Sequence, residues 1–345
     1  MQPTDANLLP PQRVKFIFNP LSGGAGAAPN RLEVILTAMQ AAALLPEVYL
    51  VQPEHDLRLV VKDALAAGHR MFVVCGGDGT IDSVAAALAG TRATLGIVPA
   101  GTRNNVAYSL GLPDDPVEAV GLLRAGQRLK IDVGQALCGN EERTFLEACS
   151  VGLLSALFPA ADDLQHGNLA RLGDLLSTLI SSPVAEMHLL FDRQPVVDIT
   201  GHVLVAANMP FVGPRFQISP QGSLHDGLLE VVVFADQSKL NLLGGALSLA
   251  TGGPEDERIR RFHVRRVAIQ TNPPMPVVLD GFPFGEGGAL TLSVRRRALN
   301  VIAGREGPRA LAAPPPPGEV AKPQPQPEAA PPEPTPEPGP AQPAP

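Results

Sequence analysis

Cysteine is scarce in this chain: three in 345 residues, Cys75, Cys138 and Cys149. None lies in a CxxC pair or beside histidines at metal-ligand spacing. That excludes a disulfide framework and a structural zinc site. Cys75 and Cys149 sit among apolar neighbours and are expected as small core residues; a reducing cytoplasm is the expected setting. Positive charge is also in short supply, with 27 Lys and Arg against 34 Asp and Glu, a net −7. That excludes a strongly basic nucleic-acid binder, although local clusters still permit contact with a membrane. No run of about 18 apolar residues exists, so no transmembrane segment is expected. Met1 to Gln12 is polar and lacks the charged and apolar regions of a signal peptide. Anything held in a membrane would then be met from the water side, by a cytoplasmic protein peripheral to the inner face of the membrane. The P-loop pattern GxxxxGK[ST] is missing, and so is G-x-G-x-x-G after the first strand. No internal repeat is found.

Proline, by contrast, is abundant, and 15 of the 37 prolines fall between Pro314 and Pro345. That stretch adds four Glu, one Lys and almost nothing β-branched or aromatic. It cannot bury enough apolar surface to offset its ordering entropy. Residues 306–345 are therefore read as a disordered tail leaning to polyproline II, a spacer or a ligand for a proline-recognising domain. Residues 1–12 are read as a disordered N-terminus.

Between them the texture changes once. Buried-strand patterns at Val14–Asn19, Glu47–Val51, Arg70–Cys75 and Thr94–Val98 alternate with helical patterns at Pro29–Ala43, Asp56–Ala67 and Asp82–Ala89. This alternation predicts an α/β domain over 13–130 with a mainly parallel sheet, which residues from about 295 to 305 could complete. From 131 to 294 strands dominate: Ile131–Ala136, Thr144–Ser150, Glu186–Phe191, Val203–Asn208, Leu228–Phe234, Arg265–Gln270, Pro276–Leu279 and Ala289–Val294. Helical patterns there are confined to about Leu164–Ser181 and Lys239–Leu249. A β-rich, antiparallel second domain is expected.

Three glycine-rich turns follow three of the parallel strands: Ser22-Gly23-Gly24 with Gly26, Gly76-Gly77-Asp78-Gly79-Thr80, and Pro99-Ala100-Gly101-Thr102. All three belong at the carboxyl edge of one sheet, where open α/β folds bind ligands. Glycine lets the backbone aim N–H groups at phosphate oxygens, and the following helix N-terminus favours the same anion. A tight strand–helix connection would explain the first turn equally well. In the second, Asp78 could orient Mg²⁺ through water, bond a nucleotide, or simply cap the next helix.

With these turns the chain resembles the catalytic domain of the diacylglycerol kinase and sphingosine kinase family, especially its bacterial members. The resemblance is carried, in order, by Asn19-Pro-Leu-Ser-Gly-Gly, Gly76-Gly-Asp-Gly-Thr-Ile-Asp-Ser-Val, Leu95-Gly-Ile-Val-Pro-Ala-Gly-Thr-Arg-Asn-Asn, Ile131-Asp-Val-Gly, Leu224-His-Asp-Gly-Leu-Leu and Val278-Leu-Asp-Gly. It implies ATP in an interdomain cleft lined by Asn19, Ser22, Gly23, Gly76, Gly77, Asp78, Gly79, Thr80, Gly101, Thr102 and Asn104. Arg103 would be an added phosphate contact. The resemblance also implies a lipid pocket in the second domain, a homodimer, and a structural Mg²⁺ near Asp226 with the carbonyls of Ser223 and Leu228. Oxygen ligands of this kind suit a hard cation. Asp280 becomes the candidate base for the lipid hydroxyl, although Leu-Asp-Gly alone reads as a β-turn.

Several positions depart from the family pattern. Asp82-Ser83 replaces Asn-Glu, and Arg103-Asn104-Asn105 replaces Gly-Asn-Asp. Tyr108 stands for a basic residue, His225 for an Asp, and Phe282 for the Glu of Asp-Gly-Glu. These changes remove carboxylates around the Mg²⁺–ATP site. An active lipid kinase, a binding-only descendant and an NAD kinase-like activity remain open, with Pro-Ala-Gly-Thr-x-Asn and Leu-Asp-Gly favouring the lipid branch. Arginines at 258–266 and 295–297 form basic clusters, either solvated faces or contacts to anionic headgroups.

Overall fold

The computed structural model describes residues 10–23, 28–152, 184–192, 195–212, 216–219, 222–235, 259–286 and 288–309. The helical patterns about Leu164–Ser181 and Lys239–Leu249 and the proline-rich tail lie outside the described residues. In the first half, β1 (Gln12–Phe18), β2 (Leu44–Leu50), β3 (Met71–Gly76) and β4 (Thr94–Pro99) form a parallel array in the order β2-β1-β3-β4. Helices α1 (Ala28–Ala41), α2 (Leu57–Ala66), α3 (Asp78–Leu88), α4 (Asn105–Ser109) and α5 (Pro116–Ala125) complete it.

The strands read as continuous apolar runs because both faces are covered. Alternate side chains go to opposite sides: Ile17, Phe72, Val74, Leu95 and Ile97 join Val61, Val84 and Leu88 of α2 and α3. Phe16, Phe18, Val73, Cys75 and Val98 join Ile35 and Met39 of α1 and Val120 and Leu123 of α5. Phe16 and Phe72 are fully buried, and each such side chain contributes about 1.5–3 kcal/mol. These two packed layers hold the carboxyl ends of β1, β3 and β4 side by side, which is where the three glycine turns emerge.

The second half is antiparallel. It comprises β5 (Gln127–Cys138), β6 (Glu141–Phe145), β7 (Ala148–Gly152), β8 (Ala185–Phe191), β9 (Val197–Ala207), β10 (Phe211–Val212), β11 (Phe216–Gln217), β12 (Leu229–Ala235), β13 (Ile259–Val264), β14 (Arg266–Asn272), β15 (Pro276–Leu279), β16 (Phe282–Glu286) and β17 (Leu290–Ala303). The long strand β17 joins the halves. Its start pairs antiparallel with β14, and its end pairs parallel with β4 through Asn300 and Val301. Strand β5 runs antiparallel along it and spans the 130/131 boundary. Among the described residues the result is one 15-stranded mixed sheet, with β10 and β11 paired apart from it.

Two sequence expectations are corrected. The helix expected from Asp82 begins at Asp78, with Gly77 as its N-cap, so the Gly-Asp-Gly-Thr residues are its first turn and not a preceding loop. The single strand expected over Thr144–Ser150 is two strands, broken at Leu146-Glu147. The break has a cause: the Asp280 carboxylate takes the N–H groups of Leu146, Glu147 and Ala148, so these amides turn away from a ladder.

Candidate active site

The glycine turns interlock. The Asn19 amide donates to Thr80 Oγ1 at 2.9 Å, and Gly77 N–H donates to Ser22 Oγ at 3.1 Å. Arg31, on α1, donates to the Ser22 carbonyl at 2.7 Å and holds the first turn in place. Gly101 N–H donates to Asn104 Oδ1 at 2.8 Å, and Asn104 is left-handed with φ of 52°. A Cβ on Gly101 would stand 2.6 Å from the Gly77 Cα, so two backbones meet here at a distance no side chain permits. Thr102 and Arg103 complete that turn. Most of the sequence-chosen residues are thus brought together. Gly77 and Gly101 spend their N–H groups inside the cradle, while the amides opening α3 have no side-chain cap. An uncapped helix start favours an anion.

Four carboxylates face this turn system. Asp78 is 8% exposed and its Oδ1 has no hydrogen-bond partner; the same holds for both oxygens of Asp82. Burial raises the Asp78 carboxyl, opposed by the N–H groups of Val106, Asn105 and Asn104 and by Arg103. Asp82 is pushed well above the carboxylate range by burial and then by the charges of Asp280, Glu147 and Asp78. Glu147 is raised in the same way, by burial first and then by Asp78 and Asp280. The Arg103 guanidinium, against Gly281, favours the ionised forms of Asp78, Asp82 and Glu147. Arg103 thus acts as counter-ion to this cluster. Hard cations take such all-oxygen sets, and the orphaned oxygens of Asp78 and Asp82 fit one.

Asp280 sits at the β15–β16 turn with φ of 49°. Its Oδ2 accepts from Leu146 N–H at 2.6 Å, and its Oδ1 accepts from Glu147 and Ala148 at 2.9 Å each. Burial pushes the carboxyl up to about 6, against the pull of these three amides, and the Asp78 charge adds to the rise. Asp280 lines two cavities. One is a polar space of about 600 Å³ walled by Gly79, Asp82, Ser83 and Phe282, with Arg58, Arg143 and Arg295 around it. The other is a slot of about 20 Å³, with Arg103, Glu147 and Gly281 at its polar end and Val205, Val212 and Val278 on its apolar walls.

The other expected metal residues lie elsewhere. Asp226 Oδ1 accepts from Leu228 N–H at 2.9 Å, and burial raises its carboxyl. Its loop is clamped by the buried Asp132, which accepts from Gly227 and Arg297 N–H at 2.6 Å each. Ser223, Asp226 and Leu228 line one small cavity. Among the described residues, no three His, Cys, Asp or Glu side chains converge at metal distance.

Sequence reasoning missed Glu147 and Arg31. An acid interrupting the apolar run Phe145–Val151 is the signal that could have found Glu147. Tyr108 stacks edge-on against Phe211 and carries the Arg309 guanidinium 3.9 Å from its ring centroid.

The profile of the diacylglycerol kinase catalytic domain matches residues 13–136, and that of the YegS C-terminal NAD kinase beta sandwich-like domain matches residues 174–303. A Pseudomonas aeruginosa protein named "Probable lipid kinase YegS-like" is 30% identical over 285 residues, covering 81% of this chain and 91% of its own. This chain belongs to the diacylglycerol kinase and YegS-like lipid kinase family. The diacylglycerol kinase of Staphylococcus carnosus is 24% identical over 292 residues, covering 83% of this chain and 93% of its own. A Synechocystis relative is 27% identical over 284 residues, and there the chain spans 64% of that protein's length. The crystal structure of a diacylglycerol kinase from Bacillus anthracis superposes with a TM-score of 0.68 at 19% identity. It covers 86% of this chain and 98% of its own, and at that identity it shows the shared fold.

Proposed function

We propose that this protein is an ATP- and Mg²⁺-dependent lipid kinase, moving the γ-phosphate of ATP to a hydroxyl of a lipid such as diacylglycerol or a sphingoid base at a membrane surface. The observation that carries this reading is the position of Asp280, on the wall of the polar cavity and of a water-sized, apolar-sided slot wide enough for the acceptor's hydroxyl end alone. Donor and acceptor then meet at one carboxylate. The acceptor hydroxyl gives its proton to Asp280 as its oxygen bonds the γ-phosphorus, and the bond from that phosphorus to the ADP oxygen breaks. A base with a pKa of about 6 is ionised at neutral pH and still takes a proton readily. The three amides of 146–148 fix its aim. The uncapped amides opening α3 hold phosphate charge, as phosphoryl transfer depends on alignment and charge neutralisation. Asp78 and Asp82 would hold a nucleotide-associated Mg²⁺, and Asp226 with the carbonyls of Ser223 and Leu228 a structural one. Bound there, the metal supplies neutralisation of phosphate charge.

A binding-only member is the second reading. It is favoured by Phe282, whose ring lies so close over Gly79 that a Cβ there would meet it at 2.7 Å. The test is incubation of the protein with γ-labelled ATP and a panel of lipids in mixed micelles, with and without chelator and Mg²⁺ add-back. A lipid labelled only when Mg²⁺ is present supports the kinase. Bound ATP with no labelled lipid supports the second reading.

A further inference from the structure

Position 105 opens α4 directly behind the Gly101–Asn104 turn, and its amide side chain is fully buried. Asn105 Nδ2 donates to Glu147 Oε2 at 2.8 Å, across 42 residues of sequence. Glu147 is 6% exposed, and its main chain is fixed on two further sides. Its N–H donates to Asp280 Oδ1, and its carbonyl accepts from Asn208 N–H at 2.9 Å and Met209 N–H at 3.1 Å. One side chain on the nucleotide-side turn thus grips the same two-residue break that cradles the acceptor-side carboxylate.

We propose that Asn105 and Glu147 form a positioning pair that sets the distance between the glycine cradle and Asp280. It acts through the hydrogen bond, independently of the Glu147 charge. The inference rests on the proposed site and adds two residues to it, with roles outside proton transfer. An amide facing a carboxylate is a directed contact. The reverse arrangement, an acid at 105 and an amide at 147, would make the same bond with donor and acceptor exchanged. An acid at both positions removes the amide donor and leaves two buried carboxyls to share a proton, and alanine at 147 would leave the Asn105 amide unpaired.

The experiment uses the full chain and five forms: wild type, Asn105→Asp, Glu147→Ala, Glu147→Gln and the double variant Asn105→Asp/Glu147→Gln. The Kd for Mg²⁺-ATP and kcat/KM for lipid phosphorylation are read at a temperature where circular dichroism shows every form folded. Asn105→Asp and Glu147→Ala are expected to lose at least ~10-fold in both quantities, since the first removes the buried amide donor and the second its acceptor. Glu147→Gln keeps an acceptor for Asn105 and should stay within about threefold, and the double variant should recover most of the loss. Full function in Glu147→Ala, or a double variant no better than Asn105→Asp, overturns the pairing. Glu147→Gln as poor as Glu147→Ala overturns positioning by the hydrogen bond. If the wild type phosphorylates no lipid, the kinase reading falls, and loss and rescue in the ATP Kd alone decide for or against the pair.

Discussion

Raising the pH should destabilise this protein, because its site crowds carboxylates into a buried space. Asp280 has a pKa of about 6 in the folded chain against 3.8 for an ordinary Asp. Below about pH 4 both states are protonated at this residue. Between about 4 and 6 the folded chain holds a proton that the unfolded chain has released, so stability falls as pH rises. Above about 6 both states are ionised and the loss is complete. The gap between 3.8 and about 6 corresponds to about 3 kcal/mol for this one group. Asp78, Asp82 and Glu147 are shifted in the same direction and add to the slope. Against a total stability of about 5–15 kcal/mol this is easily measured. The assay is urea unfolding from pH 4 to 8, for wild type and Asp280→Asn, with and without Mg²⁺. Asn at 280 leaves one of the three amides facing an NH₂ group, which costs about 1–3 kcal/mol at every pH. That offset is independent of pH, whereas the slope is not. The wild-type curve should descend between pH 4 and 6, and the variant's should descend less by about 3 kcal/mol. Millimolar Mg²⁺ should flatten the wild-type curve by screening the cluster. Parallel curves for the two proteins would refute the burial of an ionised Asp280.

Three substitutions probe the frame around this cluster. Gly101→Ala would drive a Cβ to 2.6 Å from the Gly77 Cα, so both turns must part, and isothermal titration should show Mg²⁺-ATP affinity down at least ~10-fold. Asp132→Ala leaves the buried Gly227 N–H and the part-buried Arg297 N–H without an acceptor. Guanidinium unfolding should show a loss of about 2–5 kcal/mol. Phe282 is 53% exposed and lies over the start of α3. Phe282→Ala should leave the melting temperature within about 2 °C, since little apolar area is buried, and lower the KM for ATP by uncovering the amides.

The parallel half was legible because its strands, covered on both faces, announce themselves as apolar runs, and because Gly68 and Gly90 end helices with positive φ. The three turns were legible by place: each follows a buried strand. Helix α5 was overlooked although its start is written in Asp115-Pro116, where Asp115 accepts from the Val117 and Glu118 N–H groups. The early start of α3 was hidden because glycines weaken a helical pattern. The break at 146–147 and the role of Glu147 were not legible for a different reason. Both are set by partners more than 40 residues away, Asp280 and Asn105, and no local pattern carries that information. The departures at 105 and 108 looked like losses in sequence. In the folded chain, Glu147 brings a carboxylate to Asn105 and Arg309 brings a cation to Tyr108.

The most direct test of Asp280 as the meeting point of donor and acceptor is a single-turnover transfer experiment. Wild type and Asp280→Asn are loaded with γ-labelled Mg²⁺-ATP and mixed with the best lipid of the panel, and the label is followed into the organic phase. Equal ATP occupancy, with lipid labelling at least ~10²-fold slower in the variant, is the expected result for loss of a general base. Labelling at the wild-type rate would contradict it and place the proton acceptor elsewhere.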